Sequence, residues 1–136
     1  MNCELTKLRK KTVKKGSLVE FIDIGEVEQH KKKFGHLFFV TFEDDQIIRG
    51  NHYHEFQHEY YIVLSGKVKV VLIDIDTKKK KSYVLSADNN NFKRLRIGPR
   101  IAHATYSITP RSTMLGYYSK PFDPNKIDTK VYIIKK

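Results

Sequence analysis

One cysteine stands among the 136 residues, so no intrachain disulfide can staple this chain. A lone Cys3 is compatible with a reducing cytoplasm, the expected location. No apolar run approaches the roughly 18 residues that a membrane helix needs. The opening Met1-Asn2-Cys3-Glu4-Leu5-Thr6-Lys7 also lacks the apolar stretch of a secretory signal. Helical periodicity is nearly missing, with Gly25 to Lys32 the best place for a single turn. Internal repeats, Pro/Ser-rich linkers and zinc-finger, helix-turn-helix or RNA-recognition signatures are absent as well. These absences argue against a disulfide scaffold, a helical membrane protein and a nucleic-acid reader. They leave a soluble protein of one domain, residues 1–136, long enough to bury a core.

Acidic residues are the scarcer charge. Fifteen Asp and Glu face 26 Lys and Arg, giving +11 at pH 7. Such a surplus favours anionic partners, among them phosphorylated small molecules. The lysines cluster at Lys7 to Lys15, Lys31 to Lys33, Lys78 to Lys81 and Lys135-Lys136. These runs read as solvated turns and tails, with residues 1–15 a basic N-terminal segment, and nucleic acid is not the expected partner.

What is present is strand after strand. Short runs of Val, Ile, Phe, Tyr and Leu alternate with polar turns over Ser17 to Asp23, Gly35 to Thr41, Gln46 to His54 and Tyr60 to Leu64. The pattern continues over Lys67 to Asp74, Lys81 to Ser86, Arg94 to Ile97, Ala102 to Ser107 and Thr113 to Ser119. Residues 120–136 form a loop bracketed by Pro121 and Pro124, and Val131 to Ile134 adds a possible last strand. Ser65-Gly66 reads as a tight hairpin, and Glu43-Asp44-Asp45 and Asp76 to Lys79 as polar hairpin ends. The expectation is an all-β sandwich or barrel.

Chemistry concentrates in Arg49-Gly50-Asn51-His52-Tyr53-His54, followed by Glu59. Two histidines two apart on a strand point to the same face, and a carboxylate after a short turn can converge with them on a divalent metal. Downstream, Ile97-Gly98-Pro99-Arg100-Ile101-Ala102-His103 delivers another histidine from a proline-containing turn.

His-x-His, four residues, Glu, six residues, Gly resembles the first motif of the cupin superfamily, and Ile97 to His103 resembles its second, with Arg100 where a glycine often stands. The resemblance implies a single-domain jelly-roll barrel and a ligand set of His52, His54, Glu59 and His103. The Arg-Gly-x-His-x-His segment is similar to cupins acting on nucleotide sugars. These include the 3,4-ketoisomerases of dTDP-4-keto-6-deoxyhexoses and the cupin domain of capsular-polysaccharide reductase-epimerases. The latter also share Phe122-Asp123-Pro124 and Asp128-Thr129.

What this implies is an isomerase or epimerase of a dTDP- or UDP-linked 4-keto-6-deoxyhexose, working as a homodimer without a redox cofactor. A 4-keto group acidifies the hydrogens at C3 and C5, an imidazole can remove one, and a donor or metal can stabilise the oxyanion. The ketoisomerase resemblance implies metal-free catalysis with His52 or His54 as base. The capsular-domain resemblance implies a metal, zinc first among the choices. One nitrogen cannot do both. Tyr118 and Tyr106 are candidate general acids. Arg49, Arg100 and Asn51 are candidate substrate contacts, Arg49 as a pyrophosphate clamp or else a rim ion pair. His58 is a substitute ligand or a surface residue. His30 and His36 read as structural or exposed, and Asp123 and Asp128 as loop caps. A cupin that binds a sugar or metal without catalysis is the alternative, as is a metal-dependent enzyme on an unrelated small molecule.

Overall fold

The computed structural model describes residues 1–13, 16–23, 34–87 and 92–136; the helical turn expected at 25–32 lies outside them. Twelve strands are present among the described residues, and no helix. They are β1 (Cys3–Lys7), β2 (Lys10–Val13), β3 (Gly16–Val19), β4 (His36–Phe42), β5 (Ile48–Tyr53) and β6 (Glu59–Ser65). The rest are β7 (Lys67–Asp74), β8 (Lys80–Ser86), β9 (Lys93–Ile97), β10 (Ile101–Ser107), β11 (Ser112–Tyr118) and β12 (Lys130–Val131).

Two five-stranded antiparallel sheets face each other, ordered β1-β9-β6-β11-β4 and β12-β5-β10-β7-β8, with β2-β3 a separate hairpin. The alternation written in β7 explains the arrangement. Val68, Val70 and Leu72 are fully buried on one face, whereas Lys67 and Lys69 take the other. Their partners Leu85 and Tyr83 on β8 and Thr105 and His103 on β10 share that inward face. From the opposite sheet Phe42, Tyr61, Val63, Leu95, Ile97 and Met114 complete the core.

Two expected turns resolve differently. Ser65-Gly66 is not a hairpin: β6 and β7 belong to different sheets, and the chain turns a corner there. Gly66 takes φ +76°, and a Cβ on it would fall 2.2 Å from Ser112 Oγ, so the corner is too tight for a side chain. The link from β4 to β5 through Glu43-Asp44-Asp45 likewise crosses between sheets, whereas Asp76 to Lys79 does close a true hairpin between β7 and β8.

The basic N-terminal segment is also more than a tail. Strand β1 pairs along its whole length with β9, and Cys3 and Leu5 pack against the core. The last strand shrinks to Lys130–Val131, paired with Tyr53 and His52 of β5. Beyond it, the backbone N–H of Tyr132 donates to the Asn51 carbonyl, and those of Ile134 and Lys135 donate to Asn51 Oδ1.

Leu72, buried between β8 and β10, sets the scale of the packing. Leu72→Ala is expected to cost about 2–5 kcal/mol in urea denaturation, whereas Val84→Ala, on a side chain 52% exposed, is expected to stay within about 0.5 kcal/mol.

Candidate active site

The site lies at one end of the barrel, where β5 ends, β6 begins and β10 crosses between β5 and β7. His103 stands opposite His52, but the next pair is Ala104 opposite Gly50. Asn51 is therefore an extra residue, a bulge, with φ +55° at Asn51 and +90° at Gly50. Glycine is required at position 50: a Cβ there would sit 2.7 Å from the His103 carbonyl oxygen. The bulge also changes which side chains share a face. Arg49 pairs with Thr105, which is on the His103 face, so Arg49 and His52 point the same way although they are three residues apart.

Four side chains converge. His54 Nε2 lies 3.2 Å from Glu59 Oε1, and His103 Nε2 lies 3.2 Å from Glu59 Oε2. All four ligand atoms of His52, His54, Glu59 and His103 fall within 4.8 Å of one another. Each imidazole is oriented from behind by a backbone carbonyl. His54 Nδ1 meets the Asp128 carbonyl at 2.5 Å, His103 Nδ1 meets that of Ile101 at 3.2 Å, and the His52 ring donates to Gly50. A carbonyl only accepts, so the outer nitrogens carry the hydrogens. Gln57 Nε2 lies 3.1 Å from the same His54 Nδ1.

Each inner Nε2 is then a lone pair when its ring is neutral and a donor when the ring is protonated, and His52 Nε2 is buried without a partner. Tyr61 Oη donates to one carboxylate oxygen, and neutral rings around the rest of the carboxylate call for a cation among them, a proton or a metal. The geometry fits a divalent ion: donors about 2.0–2.2 Å from a tetrahedral metal stand about 3.4 Å apart, close to the 3.2 Å found on both sides of Glu59.

Electrostatics separate the histidines. Burial, and then the charge of His103, pushes His52 down to about 4. Burial would lower His54 too, but the hydrogen bond and charge of Glu59 outweigh it and raise its pKa above the ordinary value. Glu59 is fully buried, which would raise it; the charge and hydrogen bond of His103, with those of His54, hold it well below the usual carboxylate range. Above the cluster, Tyr61 Oη donates to Glu59 Oε1 at 2.9 Å and lies 3.5 Å from Tyr118 Oη. Burial and then the Glu59 charge raise both phenols, so both stay protonated.

Several candidates lie elsewhere. Tyr106 pairs with Ile48 on the outward face of β10, with Lys135 over its ring. Arg100 is occupied, its Nε and Nη2 donating to the Asp76 carboxylate and its Nη1 to both Glu55 oxygens. Asn51 spends its amide on the C-terminal segment, donating to the Lys135 carbonyl. Arg49 donates to the Thr41 carbonyl and covers the Phe42 ring, away from the cluster. His58 lies 3.3 Å from an Arg96 guanidinium nitrogen, outside the ligand group. Conversely, Tyr61 belongs to the site, and so does an aromatic rim of His36, Phe38 and Phe122 around Tyr118. Strand alternation could have found His36 and Phe38, since both share the face of Tyr118 across the β4–β11 pair.

The profile of the family described as polysaccharide biosynthesis C-terminal domain matches residues 11–130. The chain belongs to this family. No curated protein matches the chain by sequence. Among solved structures, a 3,4-ketoisomerase from Helicobacter canadensis superposes with a TM-score of 0.80 at 19% identity, over 96% of this chain and 90% of the other. A sugar 3,4-ketoisomerase from Thermoanaerobacterium thermosaccharolyticum, in complex with TDP, gives 0.73 at 25% identity over 95% and 87%. A dTDP-4-dehydrorhamnose 3,5-epimerase from Bacillus anthracis, with TDP and pyrophosphate bound, gives 0.79 at 17% over 96% and 78%. The fold of this polysaccharide-biosynthesis domain is thus the jelly-roll barrel expected of a cupin. The expectation of zinc in particular gains nothing from these neighbours.

In chelator-treated protein, imidazole NMR is expected to show His52 neutral down to about pH 4 and His54 still protonated above 6.5. Between about 6.5 and 4 the unfolded chain takes a proton that folded His52 refuses, so acidification through that window destabilises the fold on its account. His54 has the opposite sign: its contribution is complete below 6.5 and is lost as pH rises through its raised value.

Proposed function

We propose that this protein is a nucleotide-sugar isomerase or epimerase that moves a proton next to the C4 carbonyl of a dTDP- or UDP-linked 4-keto-6-deoxyhexose. The observation that carries the reading is the convergence of three imidazole Nε2 atoms and Glu59 beneath the protonated phenol of Tyr118. The family match and the 25%-identical ketoisomerase solved with TDP support it.

His52, His54, Glu59 and His103 would hold a divalent ion, which when bound supplies Lewis acidity to a developing enediolate oxygen. The chain contributes the rest. Tyr118 Oη, protonated at neutral pH, would give its proton to carbon and regain one from solvent, while the Tyr61 hydroxyl beside it donates to ionised Glu59 Oε1. The aromatic rim of His36, Phe38 and Phe122 excludes water from the enediolate. Arg49, turned to the interior face by the bulge, reaches the pyrophosphate if it releases the Thr41 carbonyl.

A second reading dispenses with the ion. The depressed pKa of His52 keeps its Nε2 lone pair free at neutral pH, and that nitrogen would then abstract the proton. In either reading residues 1–136 work as one unit, in the cytoplasm where nucleotide sugars are made, and as a homodimer. The edge strand β4, with Leu37 52% and Phe39 68% exposed, is the surface for a second copy.

Incubation with dTDP- and UDP-4-keto-6-deoxyglucose in deuterated water is expected to place solvent deuterium at C3 or C5 and to yield an epimer or 3-keto isomer. Tyr118→Phe is expected to lower kcat by about 10²–10⁴-fold with KM little changed. No deuterium and no product with either nucleotide would overturn the assignment. Tight nucleotide-sugar binding without turnover would indicate a binding module instead.

A further inference from the structure

The cluster's ligands come from β5, β6 and β10, yet what orients two of them comes from the far end of the chain. Asp128 makes four contacts with the segment that carries His54. Its carboxylate accepts the backbone N–H groups of Glu55 at 2.7 Å, Phe56 at 3.0 Å and Gln57 at 3.2 Å. Its own carbonyl receives His54 Nδ1. Those three amides form the turn that joins His54 to Glu59, so one residue fixes both the shape of the turn and the ring at its start. The residues downstream grip the other histidine. Val131 pairs with His52, and Asn51, whose left-handed bulge sets the His52–His103 register, exchanges four hydrogen bonds with Tyr132, Ile134 and Lys135.

We propose that the segment 128–135 is a strap that positions the site, with Asp128 the positioning residue that holds His54 Nε2 toward Glu59. Loop capping alone asks only for the carboxylate. The carbonyl on His54 gives the same residue a second function, because it selects the Nδ1–H tautomer and so leaves Nε2 available to the centre. Removing the carboxylate lets the turn relax and widens the spacing between His54 and Glu59. The consequence concerns the geometry of the ligand group and is independent of the sugar or nucleotide.

The test titrates the full-length, chelator-treated protein with Co²⁺ and follows its visible ligand-field absorption, for wild type, Asp128→Ala and Asp128→Asn. Thermal unfolding is run in parallel. The expected result is a folded variant whose Co²⁺ affinity falls about 10–100-fold with a changed absorption envelope. Affinity and spectrum within twofold of wild type in a folded variant would overturn the proposal. Should Asp128→Ala fail to fold, Asp128→Asn, which keeps the shape and one acceptor oxygen, carries the same comparison. If wild type takes up no Co²⁺, imidazole ¹⁵N–¹H correlation spectra decide. A wild-type His54 Nδ1–H signal that is lost or exchange-broadened in the variant supports the strap, and an unaltered signal overturns it. This outcome stands whether or not any sugar is turned over.

Discussion

A carboxylate with 1% of its surface exposed is the constraint on which this barrel's working end depends. Ionised Glu59 in an apolar interior would cost several kcal/mol if left alone, so its surroundings are built to compensate. Two imidazole nitrogens stand at 3.2 Å, one on each oxygen, and a tyrosine hydroxyl donates to it from above. Each histidine is turned toward the centre by a backbone carbonyl behind it. The apolar walls that make the charge expensive also strengthen every interaction it makes.

The rim follows from the same centre. Tyr118 is opposite Glu59 in the β6–β11 pair and takes its raised pKa from burial and from that charge. Gly116, two residues earlier, leaves room for the Phe38 and Tyr61 rings, which a Cβ would meet at under 3.0 Å. A polar centre, a protonated phenol and an aromatic mouth are arranged in sequence from the interior to the surface. Such an order suits a ligand whose reacting carbons must be dry while its charged end stays in water.

Much of this was legible in the residues. His52 and His54 announce themselves by their spacing, and Glu59 and His103 by the two motifs in order. Strand positions followed from alternation, to within a residue or two at most ends. What was hidden has physical reasons. Ser65-Gly66 signals a sharp reversal, but local chemistry does not say whether the next strand stays in the same sheet. Strand β1 carries its own alternation, Cys3 and Leu5 inward, and the neighbouring lysines disguised it as a tail. Asp128 and His54 are 74 positions apart, and no local pattern joins residues so distant. Tyr106 was placed on the site by strand membership alone, and its phase along β10 turns it outward.

The bulge at Asn51 has a consequence of an evolutionary kind. Strand facing is binary, and one inserted residue inverts it for everything upstream. Taken up as a bulge, Asn51 escapes that inversion: Arg49 stays opposite Thr105, as it would if the codon for Asn51 were lost, whereas the same residue accommodated as an ordinary pleat would turn Arg49 to the outer surface. An arginine that shares a wall with the imidazoles is thus encoded by the bulge as well as by its letters. The left-handed turn of the backbone at Asn51 therefore decides which charge this wall presents to whatever enters.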